Sequence, residues 1–252
     1  MRVSTDGADA GAITLIASGG PSGSVTADVA FDEPGVGPQL TCAAPLNAGG
    51  CQLTSCQVGG IGDPGMGYGD FGTMSATVGT TTVLLTYNGF GYPTVGFPAS
   101  IALGTGGVMT FHGGNGASLP TFDVSATIPD LAVITSPVAS NGGAVIIDTT
   151  QDLSVTWMPI AIGQIHFQIE NGAPSGGNVE LAVRCTFEGA SGSGVVSQTL
   201  LSALKAMSAT IPLTAVLTSE LDATTVVDGL TIVTKSYQSS PTTGHGFDVT
   251  LQ

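Results

Sequence analysis

The sequence predicts an all-β protein of two antiparallel, sandwich-like domains with one short helix. Three observations lead there. Short runs rich in Val, Ile, Thr and aromatic residues recur along the chain with partial alternation, which sets one face of each strand on a core and leaves the other in water. Asn-Gly and Asp-Gly pairs (Asn88-Gly89, Asn115-Gly116, Asn141-Gly142, Asn171-Gly172, Asp228-Gly229) supply the positive φ that tight hairpins require. Gly fills 38 of 252 positions and charged residues only 9%, against roughly 25% in ordinary soluble domains. Glu, Lys, Ala and Leu at helical spacing are too scarce for a bundle.

In chain order, the expected strands are 12–16, 24–31, 80–87, 108–111, 122–128, 131–134, 144–147, 153–157, 164–169 and 179–183. Residues 73–78 also read as a strand. The cleanest hairpin joins 224–227 to 230–233 across Asp228-Gly229. One segment departs from period two. Leu200, Leu201, Leu204 and Met207 fall on one helical face and Ser197 stands where a cap is needed, which predicts a helix over 198–207.

The length accommodates two domains, each able to bury a core. The boundary falls near Ile134-Thr135-Ser136-Pro137. Residues 1–133 form a Gly-rich β domain with a cysteine cluster; residues 134–252 begin a fresh run of strands and carry the helix.

Charge narrows the function. Four Lys and Arg against 18 Asp and Glu give a net charge of −14, which excludes the basic footprint that neutralises nucleic-acid phosphates. A hydrophobic share of 42% argues against charge-driven disorder. No apolar run approaches the ~20 residues of a membrane-spanning helix.

Cys42, Cys51 and Cys56 lie in one fifteen-residue window, with Cys185 far away and no C-x-x-C pair. Residues 41–51 read as a Pro/Gly-rich loop that a disulfide would constrain. Of the three pairings four cysteines allow, the favoured pattern is one bridge inside the loop and a second from it to Cys185. The alternative is a free thiol at Cys185, on the apolar face of a strand. Disulfides, Lys depletion and an acidic, Thr- and Gly-rich surface indicate an extracytoplasmic protein. Of two readings, a cytosolic protein or a chain whose export signal has been removed ahead of Met1, the second is expected.

Residues Asp152-Leu153-Ser154-Val155-Thr156-Trp157 and Ile165-His166-Phe167-Gln168-Ile169 resemble the early strands of fibronectin type III or immunoglobulin-like sandwiches, which implies a core role for Trp157. Residues Cys185 to Val196, followed by Leu200-Leu201-Ser202-Ala203-Leu204, are similar to a segment of uncharacterised exported, often lipoprotein-like, bacterial proteins. That resemblance spans about 60 residues and brings no known activity. The N-terminal lipid-anchor cysteine usual in those proteins has no counterpart here.

The chemical motifs are sparse. Gly67-Tyr68-Gly69-Asp70-Phe71-Gly72 matches G-x-G-x-x-G, but a strand, not a helix, is expected after it, so the dinucleotide fingerprint fails. His112-Gly113-Gly114 is similar to a lipase oxyanion segment without the G-x-S-x-G elbow it needs. His112, His166 and His245 are too scattered for a zinc site, and His166 is expected on a solvated strand face. Two groups are better candidates. Tyr87, Phe90 and Tyr92 surround a turn; a small β core needs such aromatics, so core packing is the favoured reading, and a ledge on which sugars stack is the alternative. Asp63 and Asp70 share a loop whose oxygens suit calcium or, as a carboxylate pair, glycoside hydrolysis.

The expected function is therefore a non-catalytic exported cell-surface or structural β-protein acting in adhesion or assembly. Its expected partners are a protein or glycan at the cell surface, or further copies recruited through sheet edges. No cofactor is expected. The alternatives are a carbohydrate-binding module, with or without calcium, and a glycoside hydrolase using loop carboxylates.

Overall fold

The structure is a computed structural model that describes residues 12–19, 26–32, 40–58, 72–88, 92–114, 120–138, 144–171, 179–208, 212–238 and 247–252. It is mostly β, with 61% strand against 8% helix. The first strands are β1 (Ala12–Gly19), β2 (Thr26–Asp32), β3 (Leu40–Cys42), β4 (Leu46–Ala48), β5 (Cys51–Val58), β6 (Met74–Val78), β7 (Thr81–Leu85), β8 (Tyr92–Gly96), β9 (Val108–Gly113) and β10 (Phe122–Thr127). Then come β11 (Ile134–Ser136), β12 (Val145–Ile147), β13 (Leu153–Trp157), β14 (Gln164–Glu170), β15 (Val179–Glu188) and β16 (Ser193–Val196). The helix α1 (Gln198–Met207) precedes β17 (Leu213–Val227), β18 (Leu230–Gln238) and β19 (Phe247–Leu251).

The chain divides into two compact units that are not the contiguous halves expected from sequence. One contains residues 1–36, 63–130 and 220–238; the other contains 37–62, 131–219 and 239–252. The expected boundary at 133/134 lies beside the break at 130/131, but two segments change sides. Long-range pairing is the reason. Strand β5 pairs with β15 along seven residues from Cys51 to Gln57, and β17 gives its first half to one unit and its second half to the other.

In the first unit, β1 pairs with β2, β2 with β8, and β18 lies on the other side of β1. A second sheet runs in the order β10-β9-β6-β7. Alternation sorts its residues: Met74, Ala76 and Val78 of β6, and Phe122, Val124 and Ala126 of β10, point inward. They join Leu15, Ala17, Leu85, Phe111 and Ile232 in one core. Gly114 follows β9 with φ of 93°, and a Cβ there would lie 2.0 Å from the Pro120 carbonyl oxygen, so the chain turns where only glycine fits.

In the second unit, β5 is flanked by β3 and β4 on one side and by β15 on the other, with β14 beyond β15. A three-stranded sheet has the order β11-β13-β16. Val155, Trp157 and Val196 from that sheet pack with Leu53, Ile165, Phe167, Val183 and the disulfide of Cys51 and Cys185. The helix forms over the expected residues. Leu200, Leu201 and Leu204 are fully buried, and the Ser197 hydroxyl accepts from the Leu200 amide at 3.4 Å, satisfying one of the donors that a helix start leaves over. The carboxylate of Asp152 accepts from the Gln198 amide at 2.7 Å.

Several expectations need correction. Residues 41–51 are not simply a loop, because β3 and β4 are short strands that share the edge of β5. The segment expected at 131–134 becomes a strand only from Ile134. Strands β5, β8, β16, β19 and the first half of β17 are not among the expected ones. Two pairs, β1 with β18 and β12 with β19, are parallel; each joins segments remote in sequence, as parallel pairing requires. The Asp228-Gly229 hairpin forms as expected, with φ of 49° and 85°. The four Asn-Gly turns lie wholly or partly outside the described residues.

Candidate functional site

The outer face of the β10-β9-β6-β7 sheet brings together residues from four strands. The same alternation that buries Met74, Ala76 and Val78 turns Ser75 and Thr77 outward. Register then builds two rows. Leu84, Ser75, His112 and Asp123 are successive neighbours across the sheet, and so are Thr82, Thr77, Thr110 and Ser125. Neighbouring strands put members of a row about 4.8 Å apart, and the rows lie about 7 Å apart. The hydroxyls of Thr77 and Thr82 meet at 2.9 Å, and those of Thr110 and Ser125 at 3.2 Å. Leu84 and Val108 add apolar surface, 60% and 47% exposed.

Nδ1 of His112 hydrogen-bonds an Asp123 carboxylate oxygen, and Ser75 stands across from His112 on β6. Serine, histidine and aspartate in a row invite comparison with nucleophilic catalysis. The setting differs. His112 is 46% and Asp123 71% exposed, so water screens the pair where catalysis would call for an enclosed, preorganised site. What the face can do chemically is offer hydroxyls and methyls in a regular, nearly uncharged array.

The edge of this sheet is the second feature. Strand β7, Thr81-Thr82-Val83-Leu84-Leu85, ends the order; β8 lies close to it, but among the described residues no strand pairs with its outer side. It carries no charge, no proline and no bulge, the usual means by which exposed edges avoid pairing. The β6–β7 turn at Gly79-Thr80, with Gly79 at φ of 58°, holds it in register. Sequence inspection missed these rows. The signal was the alternation Ser75, Thr77 and then Thr82, Leu84 about a Gly-centred turn; what it lacked was β9 and β10 as neighbours.

The residues singled out from sequence are dispersed. Tyr92 is 5% exposed, and its hydroxyl donates to the Gly72 carbonyl at 2.6 Å. Tyr87 packs beside it at a ring distance of 5.6 Å and against the core. Tyr92 follows the core reading and not the sugar-stacking alternative; it turns inward because its apolar ring gains more from the core than from water. Phe90, Asp63 and Asp70 lie outside the described residues, as does His245. His166 is half-buried on β14. All four cysteines are paired, Cys42 with Cys56 and Cys51 with Cys185. Among the described residues no group of three or more His, Cys, Asp and Glu could hold a metal, and no helix is long and apolar enough to cross a membrane.

Two other places gather polar side chains. A cavity of about 720 Å³ in the second unit is lined by Thr149, Ser202, Lys205, Ser208, Leu213 and Val249. Ser202 already donates to the Thr149 carbonyl at 2.8 Å, and Lys205 is the sole charge in the lining. The other is an ionic cluster on β17 and β18. Lys235 donates to Glu220 and Asp222, each at 3.2 Å. Burial by itself would lower the Lys235 pKa, but Glu220 and Asp222 outweigh it and push it up to about 12. Burial, then the charge of Glu220, pushes Tyr237 up to about 12 as well.

Both groups therefore hold their protons more tightly folded than unfolded, where they titrate near 10.5 and 10.0. Their stabilisation is complete below pH 10 and is lost as pH rises towards 12. The urea midpoint of the wild type should fall across that window, and Lys235→Met with Tyr237→Phe should flatten the fall. An unchanged slope in the double variant would remove this cluster as the cause.

The chain matches no protein-family model, and no curated protein matches it significantly.

Proposed function

We propose that this chain is a non-catalytic, exported cell-surface or structural β-protein that acts in adhesion or assembly. The observation that carries this is β7, an uncharged strand at a sheet edge beside a face of hydroxyls, with Leu84 60% exposed. A strand presenting unpaired amides and carbonyls accepts another strand, and main-chain hydrogen bonds then supply the affinity. Two disulfides within a 252-residue chain fit an oxidising compartment.

The test introduces charge on that edge. Thr82→Lys with Leu84→Lys should leave far-UV circular dichroism unchanged, because both side chains point to solvent. It should raise the concentration needed for self-association, or for binding to a partner cell surface, at least about tenfold, equivalent to ~1.4 kcal/mol. Sedimentation across a concentration series and binding to intact cells read the two routes. Wild type that stays monomeric and binds no surface, or a variant indistinguishable from it, would refute the proposal.

A further inference from the structure

The two disulfides share one strand but lie on opposite faces of it. Cys51 and Leu53 of β5 point into the core, and Cys51 joins Cys185 with both residues at most 3% exposed. Cys56 lies on the other face, outside the core cluster and only 6% exposed, and joins Cys42, which is exposed on β3. Thiol–disulfide exchange needs a thiolate to reach a sulfur, so access separates the two bonds. Of the four cysteines only Cys42 is exposed, so the outer bond is reachable from its Cys42 side while the inner bond is buried at both residues.

Two charged residues of β15 border the outer bond. Glu180 of β15 stands directly across from Cys56 and accepts from Arg184 at 2.6 Å. The Arg184 guanidinium also donates to the Thr54 hydroxyl at 3.1 Å, two residues from Cys56 on the same face of β5. Residues 37–58 carry no charged side chain, so this mutually neutralising pair is the charge beside the outer bond, and access, not charge, sets that bond apart from the inner one.

We infer that Cys42–Cys56 is a site of reversible thiol–disulfide exchange that latches β3 onto the edge of β5, while Cys51–Cys185 is structural. The co-reactant is a dithiol. Its thiolate attacks Sγ of Cys42; the new sulfur–sulfur bond forms as the Cys42–Cys56 bond breaks, and Cys56 leaves as a thiolate that takes a proton. The second thiol of the reagent then displaces Cys42 and closes a disulfide within the reagent. The protein pair gains two electrons and two protons, and the dithiol is oxidised. Strand β3 is short, pairing only Leu40, Thr41 and Cys42 with Val58, Gln57 and Cys56. With its latch open, the edge of β5 from Ser55 to Val58 is freed. This stands apart from the β7 edge and does not depend on it.

The oxidised full-length chain is treated with limiting dithiothreitol near neutral pH, trapped with one alkylating label, fully reduced and given a second label. Peptide mass spectrometry should find the first label on Cys42 and Cys56 at least about tenfold sooner than on Cys51 and Cys185. Circular dichroism should be retained, and amide exchange at residues 55–58 should speed up while residues 181–187 stay protected. The double variant Cys42→Ser/Cys56→Ser should fold and show that fast exchange without reductant. Opening of both pairs in one step, earlier opening of Cys51–Cys185, unchanged exchange at 55–58, or a double variant that fails to fold would each overturn the inference.

Discussion

Replacing Cys51 and Cys185 together by Ala is expected to lower the unfolding free energy by about 4–5 kcal/mol. The bond closes a span of 134 residues, so its removal returns a large amount of freedom to the unfolded chain. The sulfurs are also part of the core, next to Leu53 and Val183, and their loss leaves space there. Chemical denaturation followed by circular dichroism measures the change. The Cys42–Cys56 bond closes a span of only 14 residues, so the matched variant that lacks it should lose about 3 kcal/mol, less by more than a kilocalorie. Equal losses from the two variants would mean that loop length and core position do not govern this stabilisation.

Trp157→Ala should cost about 3–5 kcal/mol, the usual range for emptying a large aromatic site. The indole is 3% exposed and lies nearly parallel to the Phe187 ring, with centroids 5.6 Å apart. Its Nε1–H donates to the Gly189 carbonyl at 2.9 Å in a buried setting. Alanine removes the packing and orphans that carbonyl. Trp157→Phe restores most of the ring but not the donor, and should lose about 1–2 kcal/mol. Because Trp157 is the only tryptophan, the measurement needs circular dichroism in place of fluorescence. A Phe variant as damaged as the Ala variant would shift the weight from packing to the hydrogen bond.

Legibility in the sequence followed the range of the interactions. Helix α1 was readable to the residue, since its apolar spacing and its Ser197 cap act within a few positions. The β17–β18 hairpin was readable because Asp228 and Gly229 alone set the positive φ that the turn needs. Strand β8 was missed because Tyr92-Pro93-Thr94-Val95-Gly96 has no clear alternation and its proline suits only an edge. The candidate face was half visible. Ser75 and Thr77 could be read as outward, yet nothing local connected them to His112, Thr110, Asp123 and Ser125.

By itself, the sequence determined an all-β chain, one helix, a tight hairpin and the two-residue alternation that separates core from surface. Those properties depend on dihedral preferences and on apolar burial within single segments. Only the tertiary structure decided that β5 lies between β15 on one side and the short β3 and β4 on the other, and that two of the described strand pairs run parallel. Strand partners remote in sequence are selected by the total burial and hydrogen bonding their pairing allows, set against the entropy of closing the chain between them. No short window of residues contains that balance.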